Sequence, residues 1–116
     1  MLISPTDILI LRASCFKENK PEIIYDLYHD DSEFKKFFSN KHEYAEHFKT
    51  ILSNLTHSGI KIITEQTKHK LSEVKYVEHF VDRRNELLTY YCKSYFKMQD
   101  EQWLIFKEIK ELKGRS

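Results

Sequence analysis

Residues 73–109 constrain the fold of this chain more than any other stretch, because they have the pattern of three consecutive β-strands. β-branched and aromatic residues dominate 73–81, 86–96 and 102–109, as is typical of a pleated, half-buried surface. Polar residues at 82–85 and 99–101 separate these runs and are predicted to form turns. The stretch therefore predicts strands that pair in sequence as an antiparallel meander.

Three helix starts can be recognised in the first half of the chain. Ser4 stands three positions before Asp7, which is the spacing of a capping box, and a proline follows Ser4 directly. Pro21 begins a second, shorter helix. Asn40 and Glu43 have the capping-box spacing again and predict a third helix.

The third helix has the clearest apolar periodicity, which continues from Tyr44 to Leu55 in steps of three and four. We expect it to end at Gly59, because glycine adopts the positive φ of a helix C-terminus at little cost. Residues 60–66 then form the first strand, and residues 34–38 form a turn between the second and third helices.

These elements predict one α+β domain over residues 1–116, in which N-terminal helices pack on a curled four-stranded antiparallel sheet. A chain of 116 residues can bury a real core without covalent links. A curled sheet with a helix across it encloses a cone-like cavity. The residues expected to be largely buried are Phe48, Leu52, Tyr76, Phe80, Phe96 and Trp103.

The charge and composition exclude several classes of partner. The formal net charge is +1 and the basic and acidic residues are interspersed, so we predict no nucleic-acid partner. No stretch has the length needed to span a bilayer, so we predict no membrane partner. The N-terminus lacks a signal-peptide pattern, and Cys15 and Cys92 have no metal or redox spacing, which favours a cytoplasmic location with reduced thiols.

Three motifs resemble the second half of the YchJ-like domain, which is associated with SEC-C motifs and belongs to the nuclear transport factor 2-like, or cystatin-like, superfamily. Val74-Lys-Tyr-Val-Glu-His-Phe80 is similar to that domain's V-x-F-x-A-x-F, Ser94-Tyr-Phe96 to the end of E-x-S-x-F, and Trp103 to the centre of G-x-W-x-Y. The first half of the chain is similar more loosely. The resemblance implies the cystatin-like fold and little about chemistry.

The chain departs from this family at four points. The flanking cysteine-rich SEC-C motifs, which are expected to bind zinc, are missing from the sequence. Cys92 replaces the glutamate of E-x-S-x-F, and Glu101 replaces the glycine of G-x-W-x-Y. Glu78 occupies a position that is usually small.

Glu78 is the main candidate for a functional residue. Strand alternation places it on one face with Val74, Tyr76 and Phe80, and this face is expected to point inward. Burial of an unpaired carboxylate raises its pKa, and such groups serve as general bases. The alternative interpretation places Glu78 at the open rim, paired with a lysine or arginine.

The register between the second and third strands decides what faces Glu78, because a slip of one residue exchanges the two faces. We favour the register with the more apolar inner face, which makes Tyr90 the nearest hydroxyl donor to Glu78. Glu78 and Tyr90 are therefore the candidate catalytic pair. The predicted pocket residues beside them are Tyr76, Phe80, Cys92, Phe96 and Trp103.

The sequence predicts neither a metal nor a cofactor. Six histidines are present, but none has ligand spacing, and His42 and His47 are five residues apart on one helix. A chain with two glycines has no glycine-rich phosphate loop.

Two functions remain open. The favoured one is a non-catalytic module that binds a small apolar ligand or another protein. The last two strands are apolar on both faces, with Tyr91 and Tyr95 directed outward, which predicts a homodimer through the sheet. The alternative is a small pocket enzyme of the isomerase or hydratase type that uses Glu78 with Tyr90.

Overall fold

The computed structural model describes residues 3–116, and in this range four α-helices precede four β-strands. The elements in chain order are α1 (Pro5–Lys17), α2 (Pro21–Asp26), α3 (Glu33–Phe37), α4 (Lys41–Thr50), a short 3₁₀ helix (Leu52–Asn54), β1 (Thr56–Lys68), β2 (Leu71–Val81), β3 (Leu87–Gln99) and β4 (Gln102–Arg115). The strands form one antiparallel sheet in the order β1-β2-β3-β4. The predicted α+β class is confirmed.

The helices begin where side chains satisfy their free backbone N–H groups. At the start of α1, the Ser4 hydroxyl accepts a hydrogen bond from the Asp7 backbone, and the Asp7 carboxylate accepts one from the Ser4 backbone, which completes the predicted capping box. The Asn40 side chain accepts from the backbone N–H of Glu43 at the start of α4, as predicted.

Two sets of hydrogen bonds hold the helices over one face of the sheet. At the N-terminus of α1, the backbone N–H and the hydroxyl of Thr6 both donate to Glu65 of β1, at 2.9 and 2.7 Å. After α2, the backbone carbonyl of Leu27 accepts a hydrogen bond from the N–H of Ile105 in β4 at 2.9 Å. The backbone N–H of His29 donates to the carbonyl of Ile105 at 2.8 Å. The helical layer is thereby fixed to both outer strands, and the sheet curls around it.

The strand register places Glu78 opposite Tyr90 and Tyr76 opposite Cys92. This is the predicted register, which is confirmed. The inner face of β2 and β3 is buried against the helices, whereas Tyr91 on the outer face is 54% exposed. The inner-face residues that are buried are Val74, Tyr76, Glu78, Phe80, Leu88, Cys92, Ser94 and Phe96.

The end of the third predicted helix differs from the structure. α4 stops at Thr50, and Gly59 lies within β1, where it has no positive φ. The apolar spacing that continues to Leu55 misled the prediction, because Leu52 and Leu55 line a cavity from the short 3₁₀ helix and the residue after it. Gly59 adjoins a β-bulge in the pairing of β1 with β2.

Other differences concern extent and burial. The turn predicted at residues 34–38 is the short helix α3, which the Ser32 side chain caps and which Phe38 follows directly. β1 begins four residues before the predicted strand, and β4 continues six residues beyond the prediction. Of the expected core residues, Leu52 and Trp103 are only half-buried, and the other four are buried. No helix within residues 3–116 is long and apolar enough to cross a membrane.

Candidate ligand cavity

A cavity of about 310 Å³ lies between the helices and the inner face of the sheet. Aromatic and aliphatic side chains form most of its wall, and four charged side chains complete it. The lining residues are Arg12, Phe16, Ile24, Tyr28, Phe34, Phe38, Tyr44, His47, Leu52, Leu55, Glu78, Phe80, Tyr90, Glu108 and Lys110. All four helices, the 3₁₀ helix and three strands around them contribute, so the cavity exists only in the complete fold.

Three of the predicted site residues line this cavity, namely Glu78, Phe80 and Tyr90. The other four belong to its surroundings: Tyr76 and Phe96 are packed in the core, Cys92 is buried beside them, and Trp103 is half-buried near the β3–β4 turn. Six of the seven, all except Trp103, were predicted on one face of the second and third strands. The cavity borders this face at Glu78, Phe80 and Tyr90, and the helices pack on other parts of it.

Glu78 is buried and fully paired. His57 Nε2 donates to Glu78 Oε2 at 2.9 Å, Lys110 Nζ donates to Glu78 Oε1 at 2.9 Å, and Arg12 Nη2 is 3.8 Å from Oε1. Burial alone raises the pKa of Glu78, but the bond from His57 and the charges of Lys110 and Arg12 outweigh burial and hold the pKa far below its usual range.

The predicted rise in the pKa of Glu78 is therefore wrong. The predicted burial is correct, and the predicted pairing with lysine or arginine, which was the alternative, is also correct. Burial and pairing of Glu78 occur together, because the side chains of Arg12 and Lys110 also reach the inner face of the sheet. Glu78 is therefore an ionised carboxylate held by three side chains.

Arg12 organises the second half of the network. Its guanidinium donates to the Tyr28 hydroxyl at 2.9 Å and to the Tyr76 hydroxyl at 3.0 Å, and it also bonds Glu108. The Tyr28 hydroxyl donates in turn to the second oxygen of Glu108 at 2.7 Å. Burial raises the pKa of Glu108, but Arg12 and Lys110 outweigh this effect and lower it, so Glu108 is ionised.

Lys110 is the most accessible member of the network, with its side chain 34% exposed. Burial and Arg12 lower the pKa of Lys110, but Glu78 and Glu108 outweigh them and raise it to about 12. The cavity wall therefore contains two cations, Arg12 and Lys110, and two carboxylates, Glu78 and Glu108. Their charges balance.

Sequence reasoning missed Arg12, His57, Glu108 and Lys110. One signal was present, because Arg12 interrupts the apolar stripe of α1 between Ile8 and Cys15. The other three gave no clear signal. His57 was assigned to the end of a helix, and Lys110 lies beyond the predicted end of the last strand.

No protein-family model matches the chain, and neither does any curated protein. Solved structures do match. A SEC-C motif containing protein from Rhodopseudomonas palustris has a TM-score of 0.73 and 9% identity, over 91% of this chain and 77% of that chain. A protein of unknown function with a cystatin-like fold, from Nostoc punctiforme, has a TM-score of 0.69 and 12% identity, over 97% of this chain and 96% of that chain. A protein from Novosphingobium aromaticivorans, provisionally named a scytalone dehydratase, has a TM-score of 0.69 and 14% identity, over 96% of this chain and 83% of that chain.

These likenesses concern the fold, and they cover almost the whole chain. The chain has the cystatin-like fold of the nuclear transport factor 2-like proteins. The resemblance to the YchJ-like domain is confirmed at the level of this fold, because a SEC-C motif protein is among the similar structures.

Two departures from the YchJ-like pattern have structural consequences in this nuclear transport factor 2-like fold. Glu78, at the usually small position, is the centre of the ion network. Glu101, at the glycine position, has φ of 63° beside Asp100 with φ of 51°. Positive φ at both central residues is the geometry of a type I′ hairpin turn, in which glycine is favoured.

The structure also bears on metal binding. Among residues 3–116, no three His, Cys, Asp or Glu side chains lie close enough together to hold a metal ion.

Proposed function

We propose that this protein is a non-catalytic binding module that holds a small, largely apolar ligand in the cavity. The observation that carries the proposal is the composition of the cavity wall, in which aromatic and aliphatic side chains surround a small group of paired charges. Ligand sites are commonly concave, mostly apolar and provided with a few placed polar groups.

The volume of the cavity limits the size of the ligand. At about 310 Å³, it lies at the lower end of the range for small-molecule sites, about 300–1,000 Å³. A compact molecule with one or two rings suits this space. The rings of Phe16, Phe34 and Phe80 offer edges and faces for aromatic contacts with it.

The paired state of Glu78 supports a non-catalytic role. Both of its oxygens accept hydrogen bonds from the protein, and its lowered pKa makes it a weak base near neutral pH. Tyr90 lines the same cavity and stands opposite Glu78. Among residues 3–116, however, it is His57 and Lys110 that bond Glu78, and Tyr90 does not.

The alternative is an enzyme of the isomerase or hydratase type with Glu78 and Tyr90 as its acid–base pair. The similarity to a protein provisionally named a dehydratase favours this class. The alternative requires a substrate that displaces Lys110 or His57 and releases a Glu78 oxygen. A reaction that is lost in both Glu78→Gln and Tyr90→Phe, with both variants shown to be folded by circular dichroism, would establish it in place of the binding module.

The proposal is tested with ethylbenzene, an apolar single-ring probe, in a binding titration followed by NMR. We expect saturable binding to the wild-type protein and its loss in Leu52→Trp, which places a large side chain in the cavity. Ile51→Trp is the matched control, because Ile51 is 55% exposed and lies outside the cavity wall. Absence of binding to the wild type, or equal binding to both variants, would refute the cavity as a ligand site.

We also propose that the outer face of the sheet binds a second copy of the chain. This proposal is supported by the exposed apolar side chains of Ile63, Tyr91 and Ile109, which are 57%, 54% and 47% accessible. They surround a shallow depression that crosses all four strands. Exposed apolar patches of this kind mark interaction surfaces.

A further inference from the structure

The Tyr44 hydroxyl has no hydrogen-bond partner among residues 3–116. Tyr44 as a whole is only 4% exposed and lines the cavity. Its oxygen is accessible, because every fully buried side-chain oxygen or nitrogen in this range has a partner. The neighbouring buried tyrosines differ, because Tyr28 bonds Glu108 and Tyr76 bonds Ser94. The Tyr44 hydroxyl is therefore available to a bound molecule.

Lys110 has unused donors at the same cavity. An ammonium group carries three N–H donors, and within the described chain Lys110 uses one of them, on Glu78 Oε1. Its side chain is 34% exposed. Burial raises the pKa of Tyr44 to about 12, and Lys110 and Arg12 lower it only in part. Both groups therefore carry their protons near neutral pH and can donate.

Each carboxylate oxygen of the cavity wall already accepts one hydrogen bond from the protein. Glu78 accepts from His57 and Lys110, one at each oxygen, and Glu108 accepts from Arg12 and Tyr28 in the same way. Lys110 and Tyr44, in contrast, both have free donors, which an acceptor on the ligand would use. A ligand that could only donate would leave these donors unused and would share carboxylate oxygens that the protein already bonds.

The charge balance selects between a charged and a neutral acceptor. Arg12 and Lys110 are already matched by Glu78 and Glu108. An added anion would leave one buried negative charge without a counter-ion, and such a charge is strongly disfavoured. A neutral carbonyl oxygen accepts from the same donors without disturbing the balance.

We propose that the ligand is a neutral aromatic carbonyl compound, bound with its oxygen at Lys110 Nζ and Tyr44 Oη and its ring among the cavity phenylalanines. This inference rests on the proposed function, since it assumes that the cavity holds a ligand. It adds the chemical class of that ligand and assigns Tyr44 as a residue that determines specificity.

The test compares three single-ring probes at neutral pH: acetophenone with a neutral carbonyl, ethylbenzene of similar shape without an acceptor, and benzoate with a charged one. We expect the wild-type protein to bind acetophenone more tightly than either of the others. Tyr44→Phe removes only the hydroxyl, and it should weaken acetophenone binding about three- to tenfold, the usual effect of one hydrogen bond. It should leave ethylbenzene binding unchanged.

Tyr91→Phe is the control, because Tyr91 lies on the outer face of the sheet; it should bind all three probes as the wild type does. A second readout is stability without ligand. Because the Tyr44 hydroxyl has no partner, Tyr44→Phe should unfold at the same denaturant concentration as the wild type. Tyr76→Phe, which loses the bonds to Arg12 and Ser94, should unfold earlier.

The outcomes separate the inference from the proposed function. Ethylbenzene binding as tight as acetophenone binding, or no effect of Tyr44→Phe on acetophenone, would overturn the carbonyl site and leave the apolar cavity intact. Tighter binding of benzoate would overturn the neutral class in favour of an anion site. If no probe binds, the proposed function fails and this inference fails with it.

Discussion

Lys110 Nζ lies 2.9 Å from Glu78 Oε1, and this contact joins the last strand to the one carboxylate on the inner face of β2. It determines the protonation state of Glu78, together with His57 and Arg12. It also explains how a charged residue can occupy a position that strand alternation directs into the core.

Glu78→Gln should destabilise the protein near neutral pH by on the order of 3 kcal/mol, since removal of one partner leaves buried charges unmatched. The measurement is a denaturant melt of wild type and variant. Glu111→Gln is the matched control, because the Glu111 side chain is 66% exposed and its ion pair within residues 3–116 is with Lys113; its effect should be within about 0.5 kcal/mol. A variant as stable as the wild type would show that the network does not support the fold.

The contribution of Glu78 to stability should disappear in acid. Its folded pKa lies below its unfolded value of about 4.3, so the ionised form is favoured by folding. The stabilisation is fully present above that unfolded value and is lost as pH falls through the folded pKa. Melts of wild type and Glu78→Gln should therefore differ at near-neutral pH, begin to approach each other below about pH 4 and meet only near the folded pKa, which lies far lower. A difference that grows in acid would contradict the lowered pKa.

The contribution of Lys110 to stability should disappear in alkali. Its folded pKa of about 12 exceeds the ordinary value of 10.5, so its stabilising effect is complete below the ordinary value. The effect is lost as pH rises through the folded pKa. We expect melts of wild type and Lys110→Met to differ at neutral pH and to approach each other in strong alkali. The exposed Lys113 provides the control substitution Lys113→Met, which should show no such convergence.

Self-association through the sheet should depend on Tyr91. Tyr91→Lys adds a positive charge to the exposed face beside Lys75 and Lys93 and should give a folded monomer in sedimentation at concentrations where the wild type is a dimer. Ile10→Lys, at a 48% exposed position on α1, should remain dimeric. Lys75 and Lys93 stand opposite each other on the same face, so salt should strengthen the association by screening them. A wild type that is monomeric at all concentrations refutes the surface.

A glycine at position 101, in the β3–β4 turn, should make the protein more stable. Glu101 has φ of 63°, a conformation that costs a residue with a Cβ roughly 1–2 kcal/mol. Glu101→Gly removes this strain but adds freedom to the unfolded chain, so we expect a net gain of about 0.5–1 kcal/mol in a denaturant melt. Gln99→Gly, at the end of β3 with no positive φ, should instead lose stability. A loss in Glu101→Gly would show that the turn is not strained.

The fold was largely predictable because its signals are local. The Ser4 and Asn40 caps, the strands of the second half and the inner face of β2 each depend on residues a few positions apart. The errors occurred where tertiary pairing overrides local pattern. β4 continues through a strongly charged segment to Arg115 because β3 supplies a ladder as far as Leu88.

The inward direction of Glu78 can be predicted from its strand, since alternation along a strand is a local property. The charge of Glu78 depends on the folded protein, because Arg12, His57 and Lys110 come from α1, β1 and β4. The same distinction applies to Tyr44: its burial follows from the periodicity of α4, whereas its free hydroxyl depends on the space that the curled sheet leaves beneath it. Protonation and ligand access arise from groups far apart in the chain, so only the folded structure determines them.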